Sequence, residues 1–308
     1  MQMRILLMFF FTILTTIIFA QDEHESKIWC RVNCDPELHT ENTKLIYGQV
    51  SDEAIVKKLE KESKLCFPVR FAFVRENKKG ISKESKKRFR KVIEDLNYAF
   101  INSKIKFKLN DVVELESTAK LEDLSENSFN MYNEFSNQYD LESQITVYIM
   151  DHRKEFCTVS ESGIRCSKIG GFSYILSSVT NNIVMSNFDV KNSKVVAHEF
   201  GHFFGLYHTF EEHLFGKDEF NQEKCSETGD LICDTPPDPG VVFEIYVNHT
   251  ACEMDGFKDD SGNEYKPILQ NYMSYYKPCY LKENLFTPQQ ELIMSLSSRL
   301  NIRKRLSR

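Results

Sequence analysis

The sequence predicts an α/β (α+β) fold, with one mixed, twisted sheet and two helices in its N-terminal half and a loop-rich C-terminal part that ends in a helix. Three observations support this prediction. Strand-like and helix-like patterns alternate up to residue 206, loops rich in Asp, Pro, Gly and Asn follow, and helical periodicity returns only near the C-terminus. Hydrophobic residues make up 41% of the 308 residues, which is enough apolar material for a sizeable core.

The first 20 residues have the pattern of a secretory signal peptide. Arg4 precedes an apolar run that extends from Ile5 to Ala20, and a charged segment follows. The run is short for a membrane-spanning helix, which needs ~20 residues. We therefore expect cleavage after Ala20 rather than an uncleaved anchor. The mature protein is expected to be extracellular or periplasmic, without membrane association.

Residues 21–66 are polar and charged, and their clearest pattern is a short helical one over residues 51–65. This stretch has too few apolar residues to build a core alone, so we expect it to be a pro-segment or N-terminal extension. Ordered structure is expected to begin at Phe67, and residues 67–308 are expected to form the main domain.

The predicted strands and helices follow in chain order from the spacing of apolar residues. Alternation predicts a strand over residues 68–75, and helical spacing predicts a helix over residues 81–100. Runs of apolar and β-branched residues predict four more strands, over residues 105–115, 145–150, 169–176 and 182–187. A second helix is predicted over residues 195–206.

The last helix is predicted over residues 287–302 from its N-terminal signature. Thr287 is a favourable N-cap, Pro288 suits the first turn, and Gln290 lies three residues after the cap. The charge balance of the whole chain is mildly acidic, with 39 Lys and Arg against 45 Asp and Glu. Nucleic-acid binding relies on cationic contacts to phosphate, so we expect no nucleic-acid partner.

The chemistry is concentrated in residues 198–208, which read HEFGHFFGLYH. His198 and His202 are four residues apart in the predicted helix, so their imidazoles project from one face. Gly205 can end the helix sharply, which allows His208 to return as a third ligand. Three neutral nitrogens leave one tetrahedral position open, which is the arrangement of a catalytic zinc site. The full pattern arises by chance on the order of 10⁻⁵ times per chain of this composition.

Glu199 lies one position after the first ligand and is rotated by ~100° around the helix. It can therefore reach a metal-activated water without itself binding the metal. We predict that Glu199 takes the proton of this water as general base and returns it to the leaving amine as general acid. The predicted function is hydrolysis of peptide bonds in protein or peptide substrates. The alternative is a secreted, non-enzymatic module that keeps a structural zinc site.

The motif resembles that of the metzincin metalloproteases, in which a methionine-bearing turn follows the histidines. The segments Asn271–Tyr275, Gly229–Pro236 and Phe286–Gln290 narrow the resemblance to the pappalysin/cytophagalysin family, over roughly residues 67–300. The resemblance implies a metzincin-like fold, with an upper subdomain over residues 67–205 and a lower subdomain over residues 206–308.

The same resemblance implies roles for residues outside the histidine motif. Met273 would form an apolar floor under the imidazoles, and Tyr275 would donate a hydrogen bond to the developing oxyanion. Strand 169–176 would border the cleft and pair antiparallel with an extended substrate. The loop that contains Asp230, Asp234 and Thr235 matches the region that binds structural calcium in family members, although a Pro/Asp turn without an ion is also compatible with it.

Nine cysteines in an exported chain suggest disulfide bonds and leave at least one thiol over. Cys157 and Cys166 flank a short loop and are expected to pair. Cys225, Cys233, Cys252 and Cys279 lie in the lower subdomain and allow three connectivities, of which Cys225–Cys233 with Cys252–Cys279 is favoured by the resemblance. By analogy with the family, Cys34 is the candidate for a zinc-blocking thiolate that keeps a zymogen latent. Cys30 is the next candidate, and a local Cys30–Cys34 bridge is the alternative.

Overall fold

A computed structural model describes most of the chain after the N-terminal segment. The described residues are 36–119, 135–151, 155–160, 163–168, 171–173, 175, 181–211, 215–216, 220, 222–277, 279 and 282–307. The predicted signal peptide and the two cysteines Cys30 and Cys34 lie outside them. Within these ranges, none of the helices has the length and apolar character needed to cross a bilayer.

A five-stranded mixed sheet forms the centre of the fold. Its strands are β1 (Leu65–Arg75), β2 (Ile105–Glu116), β3 (Ile145–Met150), β6 (Gly171–Ser173) and β7 (Asn182–Ser186). Their order is β2-β1-β3-β7-β6, and every pairing is parallel except that of β6, which runs antiparallel along the edge. The predicted mixed α/β fold is therefore confirmed. All residues of β3 and β7 are buried, as expected for central strands of a sheet covered on both faces.

The two helices predicted before the loop-rich region pack on one face of the sheet. Helix α3 (Lys83–Ala99) begins after Ser82, whose hydroxyl accepts the N–H of Ser85. Helix α4 (Ser193–Phe203) begins after Asn192, whose side chain accepts the N–H of Lys194. The observed bounds of α4 are two to three residues earlier than predicted.

An aromatic cluster fixes the position of α4 against the sheet. The ring of Phe200 in α4 lies 5.0 Å from that of Phe107 in β2, and Phe204 lies 5.2 Å from Phe67 in β1. These four side chains are almost completely buried. Aromatic pairs at such distances are stabilising beyond their buried area, so the helix is held rigidly where it carries the histidines.

Two of the described helices precede the sheet, and here the expectation that ordered structure begins at Phe67 is wrong. Helix α1 (Pro36–Tyr47) and helix α2 (Glu53–Glu60) pack against the C-terminal helix. Ile46 and Leu59 belong to the main hydrophobic core. Each helix contributes only a few core residues. In a segment rich in charged residues, so few apolar positions give no clear helical periodicity.

The C-terminal helix α5 (Pro288–Ser297) has the predicted start, and the short helix α6 (Asn301–Lys304) follows it. Thr287 and Gln290 form a complete capping box, with Pro288 in the first turn. The helix ends five residues earlier than expected, at a break before α6. The capping residues therefore predicted its beginning better than the apolar pattern predicted its end.

Between α4 and α5, the described residues form two 3₁₀ helices (Gln222–Lys224 and Val241–Tyr246) and a two-stranded ribbon of β8 (Val247–Asn248) and β9 (Glu253–Met254). Two disulfides, Cys225–Cys233 and Cys252–Cys279, hold this region together. This is the favoured one of the three connectivities left open by the sequence, and it is confirmed. Such loop-rich structure gains stability from cross-links that restrict the unfolded chain.

A separate hairpin of β4 (Glu155–Ser160) and β5 (Gly163–Lys168) precedes the edge strand. Its register places Cys157 directly opposite Cys166. Their side chains lie outside the described part of the structure, so the disulfide between them stays a prediction. The predicted strand 169–176 includes β6, which covers only Gly171–Ser173. Of its other residues, only Ile175 is described.

Candidate metal centre

Helix α4 and the turn after it bring the three motif histidines together. His198 and His202 are one helical turn apart, so they share a face of the helix. Gly205 has φ 101°, a left-handed conformation that ends the helix and that residues with a side chain rarely adopt. The Leu206 N–H then donates to the Gly201 carbonyl, which closes the turn and returns His208 to the face of the helix that carries the other two histidines.

The three Nε2 atoms converge on one point. Nε2 of His202 lies 3.1 Å from that of His198 and 3.0 Å from that of His208. The described residues contain no other group of three metal-capable His, Cys, Asp or Glu side chains. Nitrogen ligands of tetrahedral zinc at 2.0–2.1 Å are about 3.4 Å apart, so the observed spacing is close to that of a zinc site.

Backbone carbonyls set the tautomers of two histidines. Nδ1 of His198 lies 2.7 Å from the Tyr272 carbonyl, and Nδ1 of His202 lies 2.7 Å from the Leu206 carbonyl. A carbonyl can only accept, so each Nδ1 carries the proton and each Nε2 presents a lone pair. Lone pairs that face each other at 3 Å repel, and a cation between them removes this repulsion. This donor set therefore fits a zinc ion.

Burial keeps the three imidazoles neutral. It lowers the pKa of His202 to about 4, and it lowers the pKa values of His198 and His208 well below their usual range, with neighbouring histidines adding to the effect. Metal binding requires neutral imidazole, so no proton has to be displaced from these nitrogens near neutral pH.

Glu199 carries an unpartnered polar atom in the same place. The residue is 5% exposed, and its Oε2 is buried with no hydrogen-bond partner among the described residues. Burial raises the pKa of Glu199 to about 8. A buried carboxyl oxygen without a partner is costly unless a ligand completes it. The side chain can therefore receive a hydrogen-bonding partner that the described residues do not supply.

The edge strand approaches Glu199 closely. A Cβ on Gly171 would lie 3.2 Å from Cγ and Oε1 of Glu199 and 2.9 Å from the Val184 carbonyl oxygen. This close approach of the strand to Glu199 is possible only at a residue without a side chain.

Tyr275 lies at the metal-binding face of the cluster. Its hydroxyl is 3.0 Å from Nε2 of His208, and its ring packs 4.8 Å from the His208 ring. The ring is 39% exposed. Burial of the hydroxyl and the nearby Glu199 carboxylate raise the pKa of Tyr275 well above its usual range, so this hydroxyl keeps its proton and can donate.

Met273 lies beneath α4 in a tight turn. It is completely buried, its N–H donates to Oδ1 of Asn271, and its carbonyl accepts the N–H of Thr209. Its Sδ would be 2.5 Å from a Cβ built on Gly201, in the helix turn between His198 and His202. The methionine turn and the site helix are therefore in van der Waals contact.

Replacing Gly201 by Ala is expected to destabilise the protein by about 1 to 2 kcal/mol. Alanine in a helix is favoured over glycine by about 0.5 to 1 kcal/mol, but overpacking a core costs about 1 to 3 kcal/mol. Denaturant unfolding of the metal-free protein measures the difference. Met273→Ala in the same background removes the clash, so the double variant must be more stable than the two single effects predict. Additive effects would show that the contact is unimportant.

The aspartate-rich loop is organised by its own hydrogen bonds. Oδ1 of Asp230 accepts the Thr235 hydroxyl at 2.9 Å and the Ile232 N–H at 3.0 Å. Asp234 accepts the N–H of Gln289 at the start of α5. The structure thus places Asp230 and Thr235 side by side and directs Asp234 to a helix N-terminus.

Asp238 joins two segments of the site and was not predicted from the sequence. This buried carboxylate accepts the hydroxyls of Thr209 at 2.6 Å and Tyr276 at 2.7 Å, and a backbone N–H two residues on. Thr209 follows His208 and Tyr276 follows Tyr275, so one side chain ties both segments together. Its only signal in the sequence is its place in a loop rich in Asp and Pro.

A mixed-sheet α/β fold with three convergent histidines, a buried glutamate beside them and a methionine turn below defines a metallopeptidase-type centre. The chain belongs to the Peptidase_M43 family, whose model is described as pregnancy-associated plasma protein-A and matches residues 130–297. That segment includes all three histidines, Glu199 and the methionine turn.

Curated relatives carry the name extracellular metalloprotease. The chain is 32% identical to one from Colletotrichum graminicola over 121 residues, which are 39% of this chain and 35% of the relative. It is also 32% identical to one from Pyricularia oryzae over 102 residues, which are 33% of this chain and 29% of the relative. The matched segments thus span about a third of these relatives.

Solved structures give weaker likenesses. A chain in a structure described as a chaperone-substrate complex has a TM-score of 0.38 and 12% identity, with 79% of this chain and 35% of that chain covered. Metalloproteinase-II from Bacteroides fragilis has a TM-score of 0.29 and 15% identity, with 49% of this chain and 46% of that chain covered.

Proposed function

We propose that the protein is a secreted zinc endopeptidase that is synthesised as a latent zymogen. The observation that carries this proposal is the combination of three convergent Nε2 atoms with a buried Glu199 oxygen that has no hydrogen-bond partner among the described residues. A structural zinc site closes its fourth position with a protein ligand and has no use for an additional glutamate. The alternative, a non-enzymatic module with structural zinc, leaves Glu199 unexplained.

His198, His202 and His208 would hold the zinc ion. When bound, zinc would polarise the scissile carbonyl and lower the pKa of a water molecule to near neutrality. Glu199 removes a proton from the attacking water, the water oxygen bonds to the scissile carbon, and the C–N bond breaks. Glu199 then delivers the proton to the leaving nitrogen, which departs as an amine. Tyr275 donates its hydroxyl hydrogen to the oxygen that gains negative charge.

The edge strand β6 offers a place for the substrate backbone. Among the described residues its one strand partner is β7, which makes it the last strand of the described sheet. An extended peptide can add there as a further antiparallel strand. We propose this pairing for the predicted segment 169–176, because β6 also contacts the glutamate that activates the water.

Three finer features also belong to this proposal. Secretion is supported by the N-terminal apolar run and by relatives named extracellular. If Cys34 keeps the full chain latent, Cys34→Ala should increase its rate of peptide hydrolysis. If Asp230, Asp234 and Thr235 bind calcium, addition of Ca²⁺ to the chelator-treated protein should raise its melting temperature.

Digestion of a diverse peptide library by the zinc-loaded protein, with products identified by mass spectrometry, tests the proposed activity. We expect cleavage at internal peptide bonds, and its loss after treatment with a zinc chelator. The chain should be tested intact and after limited proteolysis upstream of Pro36, because a zymogen needs trimming. Stoichiometric zinc without cleavage of any peptide by either form would contradict the proposal and favour the structural module.

Tyr275→Phe is expected to lower kcat by about 10²- to 10³-fold, the usual effect of losing one donor to a developing oxyanion. KM and zinc content should change little, because the ring and the histidines remain. Steady-state kinetics with a cleaved library peptide measures both constants. A rise in KM at constant kcat would show that Tyr275 binds the ground state instead of assisting the reaction.

A further inference from the structure

Helix α1 lies against the turn that joins two of the predicted zinc ligands. The hydroxyl of Tyr47 donates to the Gly205 carbonyl at 2.9 Å. One turn earlier in α1, the Thr43 hydroxyl lies 3.0 Å from the hydroxyl of Tyr207. The helix therefore contacts the residues on both sides of Leu206.

The same turn orients the metal ligands directly. The Leu206 carbonyl accepts the Nδ1 proton of His202, and His208 follows two residues later. Any change in the direction of this turn therefore moves one ligand and reorients another. Gly205 is held at a positive φ, so the turn has few alternative conformations that keep the helix end intact.

Helix α1 packs into the main hydrophobic core. Ile46 is 1% exposed and belongs to the main core, and Tyr207 is completely buried, with its ring 5.9 Å from that of Tyr47. Removal of the helix would uncover this apolar surface and leave the Gly205 carbonyl without its partner. Exposure of apolar surface to water is unfavourable, so the folded domain is expected to need this helix.

We propose that Tyr47 is a positioning residue of the zinc site and that α1 is a permanent part of the catalytic domain. The removable pro-segment then ends before Pro36, not near residue 66. This inference rests on the proposed zinc site but not on the identity of any substrate. Tyr47 acts through the Gly205 carbonyl, which sets the path of the turn between His202 and His208.

Tyr47→Phe in the full chain tests the positioning role, because it removes the hydroxyl and keeps the ring packed. Competition with a chelator measures zinc affinity, and the visible absorption of the Co²⁺-substituted protein reports ligand geometry. We expect about tenfold weaker zinc binding, in the range seen when partners of metal ligands are lost, and an altered Co²⁺ spectrum.

Tyr148→Phe is the matched control. Tyr148 is a buried tyrosine, and its hydroxyl donates to Asp140 at 2.5 Å in a cluster of core residues separate from that of α4. It should lower the denaturant midpoint without changing zinc affinity or the Co²⁺ spectrum. If both variants weaken zinc binding equally, or if folded Tyr47→Phe binds zinc as the wild type does, the positioning role is wrong.

Limited trypsin digestion of the zinc-loaded chain tests the domain boundary independently. We expect the stable fragment that retains zinc to include α1. A fragment that lacks residues 36–50 and still binds zinc with wild-type affinity would overturn the inference, and it would do so even if Tyr47→Phe failed to fold. If the wild type binds zinc but cleaves no peptide, the proposed function fails, whereas zinc affinity still decides the role of Tyr47.

Discussion

Glu199→Gln is expected to lower kcat by about 10²- to 10⁴-fold, the usual contribution of a general acid–base group. Glutamine has nearly the same shape but cannot accept the proton of water at neutral pH. Glu199 is not a predicted ligand, and the three Nε2 atoms converge without it. Zinc content should therefore remain at one equivalent per chain, as measured by metal analysis of the purified variant.

Glu283→Gln provides the control for this substitution, because Glu283 is an exposed glutamate that lies apart from the histidines in the sequence. It should have wild-type kcat and zinc content. Wild-type kcat in Glu199→Gln would refute the role of Glu199 as the base. Loss of zinc in Glu199→Gln would show instead that this residue supports the metal site, and the kinetic result would then not report on proton transfer.

His202→Gln is expected to abolish zinc retention and, with it, peptide hydrolysis. His202 is the central residue of the histidine cluster, with its Nε2 3.1 Å from that of His198 and 3.0 Å from that of His208. A ligand that binds only the folded state stabilises it by about 2.7 kcal/mol when its concentration is 100 times Kd. Addition of zinc should thus raise the melting temperature of the chelator-treated wild type but not that of His202→Gln.

His249→Gln is the matched control, because His249 lies in the loop-rich region and outside the histidine cluster. It should keep both the zinc-dependent shift in melting temperature and the hydrolytic activity. A zinc-dependent shift that survives in His202→Gln would mean that the stabilising metal binds elsewhere, and the assignment of the three histidines would then be wrong.

The histidine cluster could be predicted because its geometry is almost entirely local. The spacing of His198 and His202 requires only a helix, and Gly205 requires only the ability to adopt positive φ. The capping box at Thr287 is local in the same sense and was predicted to the residue. The favoured disulfide pairing was also correct, but its basis was a family resemblance, because spacing alone leaves three connectivities open.

Long-range contacts could not be read from local patterns. The N-terminal helices were expected to be a removable extension because charged residues dominate them. In the structure, Ile46 belongs to the main core, and the Tyr47 hydroxyl donates to the Gly205 carbonyl in the turn before His208. Asp238 likewise gains its role only because the chain brings Thr209 and Tyr276 to it from 29 and 38 residues away.

Residue types and their spacing were thus sufficient to predict the class of fold and the cluster of three histidines that the structure brings together. The tertiary structure alone decided which backbone carbonyls hold the imidazoles and which core residues the N-terminal helices contribute. The physical reason is that every residue carries the same backbone carbonyl, so the residue type does not indicate which carbonyl will accept a given hydrogen bond. Its partner is chosen by packing between distant segments, which leaves no periodic trace in the sequence.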